Sequence, residues 1–168
     1  MAYFSFTIGM QCAAYSLVGK AIGAQNIRMA KRYRDIIIIS GIILAFLQST
    51  TIVFFKADIA VFFTNVESIQ SVLIPAFNAA AIALFFECIQ LAIQGIFRGI
   101  GKQKYAFYLI VFSFYFIGLP LSYTIGIYWG YGLTGLWYGI SIGLVILTAA
   151  YIYLSLYHFN WQVIALEA

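Results

Sequence analysis

Residues 76–104, AFNAAAIALFFECIQLAIQGIFRGIGKQK, determine how the rest of the chain must be organised. The stretch is apolar over a length that can cross a bilayer, and it carries one carboxylate, Glu87, near its middle. An acidic side chain at the centre of a membrane helix costs at least about 2.5 kcal/mol on insertion scales. Chains that keep such a residue generally use it to bind an ion, a proton or a cationic ligand. We therefore predict a helical bundle around this segment, with Glu87 as its chemically active residue.

The composition of the whole chain indicates a membrane protein. Of its 168 residues, 64% are hydrophobic and 8% are charged, and the mean hydropathy is +0.99. A soluble domain carries about 25% charged residues, so the predicted fold class is all-α and integral to the membrane. Five segments of membrane-spanning length leave no room for a separate soluble domain; they cover residues 1–19, 36–55, 72–97, 106–128 and 133–157.

The basic residues indicate membrane topology rather than nucleic-acid binding. They lie between the apolar segments, and the two most basic connections, residues 20–35 and 98–104, alternate with the less basic residues 56–71. Basic connections generally stay in the cytoplasm. We therefore expect a cytoplasmic C-terminus with a short tail at residues 161–168. Residues 28–35 are expected to form a short amphipathic helix on the membrane surface.

Two sets of polar side chains recur at helical spacing. On the first segment, one face carries Tyr3, Thr7, Gln11 and Tyr15. On the third segment, one face carries Glu87, Gln90, Gln94 and Arg98, whereas Asn78 falls on the opposite face. Polar side chains in a membrane helix either line a cavity or form hydrogen bonds between helices. The spacing alone leaves both roles open.

Proline and glycine indicate how the remaining segments bend and pack. Pro120 lies inside the fourth segment and predicts a kink, either a functional hinge or a purely structural bend. Pro75 is expected near the first turn of the third segment, where a missing N–H costs little. The fifth segment carries Gly135, Gly139 and Gly143, a spacing of four that predicts a face for close helix packing.

Residues typical of metal binding or catalysis are sparse. The sequence has one histidine, His158, and two cysteines, Cys12 and Cys88, which are expected to behave as small buried hydrophobes. It has no cluster of histidines, no carboxylate pair at helical spacing within an apolar segment, and no nucleophile beside a base. We therefore predict neither an enzyme nor a metal site, and no organic cofactor.

Four motifs, the last of them made of two glycine-containing stretches, together resemble the multidrug and toxic compound extrusion (MATE) family over roughly residues 1–160, in their order and spacing. They are residues 18–26 (VGKAIGAQN, followed by AKR at 30–32), 59–64 (IAVFFT), 94–104 (QGIFRGIGKQK), 118–121 (GLPL) and 135–139 (GLWYG). The first stretch departs from the family pattern at Lys20, Gln25 and Ile27, where the family usually has Asn, Gly and Pro. The resemblance covers nearly the whole chain.

The resemblance implies a fold of twelve helices in two six-helix lobes. This chain would match the eighth to twelfth helices, most of the C-terminal lobe, and its partner would be the missing N-terminal lobe. Either a longer transporter or a truncated gene product would fit. Similar proteins have an acidic residue in the tenth helix, eleven positions before an arginine, and Glu87 stands at that distance from Arg98. The resemblance therefore implies that Glu87 is the ion-coupling carboxylate.

The activity implied by the resemblance is antiport. The protein would export organic cations or other xenobiotics across the plasma membrane or an organelle membrane, in exchange for H+ or Na+. Its partners would be membrane lipid and a small organic cation, and not nucleic acid. One alternative is a lipid-linked-sugar flippase of the same superfamily, although the lysines and arginines are expected to avoid mid-membrane positions. The other alternative is a non-transporting truncated protein or an interaction subunit.

Overall fold

The computed structural model describes residues 2–167, with side chains for residues 5–166, so the side chain of Tyr3 lies outside the described part. Every long element in this part of the chain is a helix, and none of its residues is in a strand. The helices are α1 (Ala2–Gly23), α2 (Ile27–Phe63), α3 (Glu67–Gly99), α4 (Gln103–Tyr128), α5 (Gly132–His158) and α6 (Trp161–Glu167). The predicted all-α fold class is confirmed.

Four of these helices, α2 to α5, are long and apolar enough to cross a membrane. Helix α1 has 22 residues, which is long enough to span, but it is not among the four. The polar residues Thr7 and Gln11 and a lysine in its last turn lower its apolar character. The five predicted segments therefore correspond to five long helices, of which the first is the most polar.

Connections between the helices are shorter than the charge pattern predicted. Helix α2 begins at Ile27, so residues 28–35 form its first turns instead of a separate surface helix. The side chain of Asn26 caps this start, because its Oδ1 accepts the Met29 N–H at 3.1 Å. Lysine and arginine are good helix formers, so a basic run does not by itself end a helix.

The turn that follows helix α1 contains a residue with left-handed backbone geometry. Gln25 has a φ of 53°, in the region that normally favours glycine. The Asn26 N–H bonds to the Ala21 carbonyl at 2.9 Å, which closes the last turn of the helix. The family pattern usually has glycine at this position, so the departure at Gln25 falls where a side chain is disfavoured.

The connection between α2 and α3 was also predicted too long. Helix α2 continues to Phe63 and α3 begins at Glu67, so Lys56 lies inside α2 and not in a loop. The apolar residues after Lys56 include neither glycine nor proline, so nothing in them breaks the helix. The earlier start of α3 places Pro75 in the helix interior, which corrects its expected position in the first turn.

Contacts within the chain define two compact units. Unit 1 takes in the chain up to Leu44, Cys88–Ile110 and the chain from Leu147 onward. Unit 2 takes in Ala45–Glu87 and Val111–Ile146.

In unit 2, α4 and α5 pack through small residues. A Cβ on Gly135 would lie 2.7 Å from the Gly126 Cα, and one on Gly139 would collide with the backbone of Ser122. The Ser122 hydroxyl also donates to the Leu136 carbonyl at 2.9 Å. These approaches leave no space for larger side chains, so the predicted close-packing face of α5 is confirmed.

In unit 1, α1 and α3 approach each other through a second pair of glycines. A Cβ on Gly95 would collide with the carbonyl oxygen of Gln11 and would lie 2.8 Å from the Ala14 Cβ. One on Gly99 would lie 3.0 Å from the Tyr15 carbonyl oxygen. The packing role of Gly95 and Gly99 was not predicted, although their spacing of four was visible in the sequence.

Unit 1 also fixes the short helix α6. Arg34 is 11% exposed, and its guanidinium carbon lies 5.4 Å from the ring centroid of Trp161. The same guanidinium donates to the Ser155 carbonyl at 3.2 Å and pairs with Asp35 at 2.8 Å. One arginine therefore ties α2 to the end of α5 and to α6. Phe159 packs edge-on against Phe97 beside this contact.

Candidate functional site

The polar residues predicted on α1 and α3 meet in unit 1. Gln11 and Gln94 line a cavity of about 550 Å³, together with residues from the start of α4. The Gln11 amide donates from Nε2 to the Gln94 Oε1. Because Gln11 is 8% exposed, this bond joins two helices in a largely dehydrated place. The two roles left open by the sequence, cavity lining and helix association, are thus combined in one pair.

Thr7 and Gln90 are also buried in unit 1. The Thr7 hydroxyl lies 3.8 Å from the Cys88 Sγ, a weak bond between α1 and α3. Gln90 is 6% exposed, and its Oε1 has no hydrogen-bond partner among the residues that the structure describes. Burying an amide oxygen without a hydrogen bond costs free energy. Such an oxygen can accept a hydrogen bond or coordinate a cation.

Tyr15 and Arg98 lie on the solvent-accessible side of the cavity. Tyr15 is 55% exposed and lines this cavity as well as a neighbouring one of about 630 Å³. Arg98 lines both cavities too, at the last turn of α3. Gln103, at the start of α4, also lines the smaller cavity and was not predicted. Its signal was its place in the stretch 94–104, which already carried Gln94 and Arg98.

Glu87 belongs to unit 2, where its side chain is half-buried. Within the described part of that unit, its carboxylate has no hydrogen bond or ion pair. A carboxylate removed from water without a partner is unfavourable while it is charged. It can be stabilised by taking up a proton, by binding a metal cation such as Na+, or by pairing with an organic cation.

Unit 2 also contains a polar side-chain contact that the sequence did not predict. The Lys56 ammonium donates to the Asn78 Oδ1 at 3.0 Å, between α2 and α3. Asn78 also lines a cavity of about 460 Å³ whose walls are mostly apolar and include four phenylalanines. Lys56, like the basic residues at 28–34, lies inside α2, so these basic residues are not confined to the connections where the sequence placed them. Its long side chain reaches an asparagine that the sequence had placed away from the Glu87 face.

The region around Pro120 has an unusual helical form. The helix widens into π-helical turns at Phe112–Gly118 and Tyr123–Tyr128, and Pro120 lies in the short α-helical stretch between them. Proline removes one backbone N–H, and wider turns redistribute the remaining hydrogen bonds. The Thr124 hydroxyl bonds to the Pro120 carbonyl at 2.8 Å, which satisfies one acceptor in this region.

The donors at the candidate site suit protons, alkali cations and organic cations rather than transition metals. The polar groups that line the unit 1 cavity are three amides, one hydroxyl, one guanidinium and the single thiol of Cys12. Cys12 is exposed, which corrects its expected burial, whereas Cys88 is buried as predicted. Among the described residues, no three of His, Cys, Asp or Glu come together in a metal-binding group.

Together, the membrane-length helices, the buried amides and the unpaired carboxylate describe a helical membrane protein with polar groups inside its apolar segments. Comparison with known proteins places it in a family. The family model described as MatE matches residues 1–124, about three quarters of the chain. The chain therefore belongs to the MatE family, as its resemblance implied.

Curated relatives come from animals, a plant, a fungus and bacteria. Multidrug and toxin extrusion protein 1 of Danio rerio is 29% identical over 98% of this chain, which spans 28% of that protein. Multidrug and toxin extrusion protein 2 of Homo sapiens is 26% identical over 98% of this chain and 27% of its own length. The probable multidrug resistance protein NorM of Pasteurella multocida is 26% identical over 85% of this chain and 32% of its own length. The chain thus spans less than a third of these relatives.

Two solved structures share the fold. The inward-facing conformation of a multidrug resistance MATE family transporter superposes with a TM-score of 0.82, at 24% identity, over 92% of this chain and 36% of that one. The crystal structure of the eukaryotic MATE transporter AtDTX14 superposes with a TM-score of 0.83, at 18% identity, over 98% of this chain and 37% of that one. The helical arrangement is therefore that of a MATE transporter segment.

Proposed function

We propose that this chain forms part of a secondary antiporter that exports organic cations and related xenobiotics in exchange for H+ or Na+. The observation that carries the proposal is Glu87, a half-buried carboxylate in a membrane-length helix, without a partner in its own unit. Relatives named as multidrug extrusion and multidrug resistance proteins support this reading. An unpaired carboxylate in an apolar segment is a site that a cation can occupy.

The exchange follows from the free-energy cost of keeping the Glu87 carboxylate ionised without a bound cation. A proton or Na+ neutralises the carboxylate on one side of the membrane, and an organic cation replaces it on the other. Because one carboxylate cannot bind both tightly, occupancy by one ligand favours release of the other. Coupling then needs no covalent chemistry and no organic cofactor.

The polar residues of unit 1 would line the path of the substrate. Gln90 offers an unpaired amide oxygen, and the Gln11–Gln94 pair offers dipoles that can rearrange around a passing cation. Tyr15 is exposed beside the cavity, where its ring can hold an organic cation over its face. Thr7 is proposed to complete the polar lining of α1.

Transport also requires a second lobe. The relatives are more than three times as long as this chain, and alternating access in such transporters comes from two halves that rock against each other. We infer that the N-terminal lobe is the partner of this chain and that the wide turns around Pro120 allow α4 to bend. We also infer that the protein lies in a plasma or organelle membrane, with its basic connections and its C-terminal tail on the cytoplasmic side.

The test is gradient-driven transport by the full-length protein in proteoliposomes. Efflux of a fluorescent organic cation is measured with an imposed proton gradient and, separately, with a sodium gradient. Glu87→Gln is expected to reduce the driven rate at least tenfold, and Glu87→Asp to retain part of it. Glu67→Gln, a second carboxylate change in α3, is the matched control and should transport normally. A normal rate for Glu87→Gln would refute the assigned role.

A further inference from the structure

The end of unit 1 where α1 finishes and α3 passes to α4 contains a strongly basic cavity. Its volume is about 630 Å³, and its lining includes three cationic side chains, Lys20, Arg98 and Lys102. None of the lining residues is acidic among the side chains that the structure describes. Three positive charges around one cavity favour an anion and disfavour the organic cations that the transport site is proposed to carry.

Side chains rather than backbone groups provide the donors of this cavity. The Gly101 N–H bonds to the Arg98 carbonyl at 3.1 Å, and the Lys102 N–H bonds to the Phe97 carbonyl at 2.9 Å, so these amides are already used. The hydroxyls of Tyr15 and Ser16 line the same cavity and can donate. Ammonium and guanidinium groups with hydroxyls match the oxygens of a phosphate, which a guanidinium can bind in a bidentate manner.

Another part of the cavity wall is apolar. Ile22 of α1 and Ile164 of α6 line the cavity and are both buried. Arg34 holds α6 at Trp161, one turn before Ile164, so this wall is kept in place by an independent contact. A ligand that combines a phosphate with an apolar portion therefore matches this lining.

We propose that this cavity binds the phosphate of an anionic phospholipid headgroup. Basic pockets between membrane helices commonly bind such headgroups, and the cytoplasmic leaflet, where this basic end is expected, is rich in them. The bound lipid would fill the gap beside the turn between α3 and α4 and would hold that turn against α1. The lining of this cavity includes none of the amide side chains proposed for transport, and it shares Arg98 and Tyr15 with the cavity at Gln11 and Gln94.

The experiment uses the full-length protein in phosphatidylcholine nanodiscs, titrated with phosphatidylserine, with bound lipid counted by native mass spectrometry. A triple variant, Lys20→Gln, Arg98→Gln and Lys102→Gln, is compared with the wild type. Loss of each cation is expected to weaken binding about fivefold, so the triple variant should bind roughly a hundredfold less tightly. The control triple, Arg28→Gln, Lys31→Gln and Lys104→Gln, removes the same charge outside the cavity and should bind normally.

A second variant distinguishes the loss of the binding charges from misfolding of the protein. Lys20→Arg, Arg98→Lys and Lys102→Arg together keep the charge and should restore most of the binding. Equal losses in the control triple and the cavity triple would overturn the proposal, because binding would then follow overall charge. Unchanged binding in the cavity triple would overturn it as well. Competition by inorganic phosphate, without preference for phosphatidylserine, would overturn the lipid assignment and show a site for a soluble phosphate compound.

Discussion

At the scale of single residues, the pair Gln11 and Gln94 gives the most direct stability prediction. Their side-chain hydrogen bond joins α1 to α3 in a mostly buried place. Hydrogen bonds between membrane helices contribute about 1 kcal/mol or less. A double-mutant cycle with Gln11→Ala and Gln94→Ala should therefore show a coupling of roughly 0.5–1 kcal/mol in the free energy of unfolding.

Unfolding of the protein in mixed micelles provides this measurement. Gln103→Ala is the control, because Gln103 lines the same cavity but is exposed and is not part of the pair. Strictly additive effects of the two alanine changes would contradict a bond between Gln11 and Gln94.

Gln25 gives a second stability prediction, in which the substitution stabilises the protein instead of destabilising it. Its φ of 53° is disfavoured for a residue with a Cβ and costs nothing for glycine. Gln25→Gly is therefore expected to stabilise the protein by about 1 kcal/mol, seen as a higher midpoint in thermal unfolding. Ala24→Gly is the neighbouring control and should not stabilise, since Ala24 is not among the residues with positive φ. A lower midpoint for Gln25→Gly would contradict this reading of the helix end.

At the scale of the helices, the contact between α4 and α5 is the least tolerant of added volume. A Cβ at Gly139 would collide with the Ser122 backbone, which cannot move aside as a side chain can. Gly139→Ala is expected to destabilise the protein by about 1–3 kcal/mol. Gly9→Ala is the matched control, because a Cβ there meets nothing within 4 Å. Equal melting temperatures for the two variants would contradict the close approach.

Pro120 gives a prediction about motion. The wide turns on both sides of it mark α4 as the helix with the least regular hydrogen bonding. Pro120→Ala would restore an N–H and straighten the helix, so we expect a several-fold slower turnover with substrate affinity unchanged. Pro75→Ala in α3 is the control, since no wide turn interrupts that helix. An unchanged turnover in Pro120→Ala would show that the proline is only structural.

The helices also show how far sequence reasoning extends. Apolar length predicted that five long helices exist, and glycine spacing predicted the packing face at Gly139. The helix ends were predicted poorly, because charged residues such as Lys56 were read as loop residues although they are good helix formers. The helical period of a sequence predicts the face of the helix on which a residue lies, but not which other helix packs against that face. The bonds of Gln94 to Gln11 and of Lys56 to Asn78 could therefore be seen only in the structure.

At the scale of the whole molecule, two units offer two different kinds of site. Unit 2 contains the carboxylate Glu87 without a partner in that unit, and unit 1 contains a cavity of about 550 Å³ lined by amides and a second, basic cavity. The chain spans less than a third of its relatives, so we propose transport for a longer protein and not for this segment alone.

The most direct test of the central claim is equilibrium binding of an organic cation to the purified full-length protein. Affinity is measured by isothermal titration while the proton and sodium concentrations are varied separately. We predict that one of these ions competes with the organic cation in the wild type, and that Glu87→Gln binds more weakly and no longer responds to either ion. Unchanged affinity and unchanged competition in Glu87→Gln would contradict the claim that Glu87 exchanges the coupling ion for the substrate.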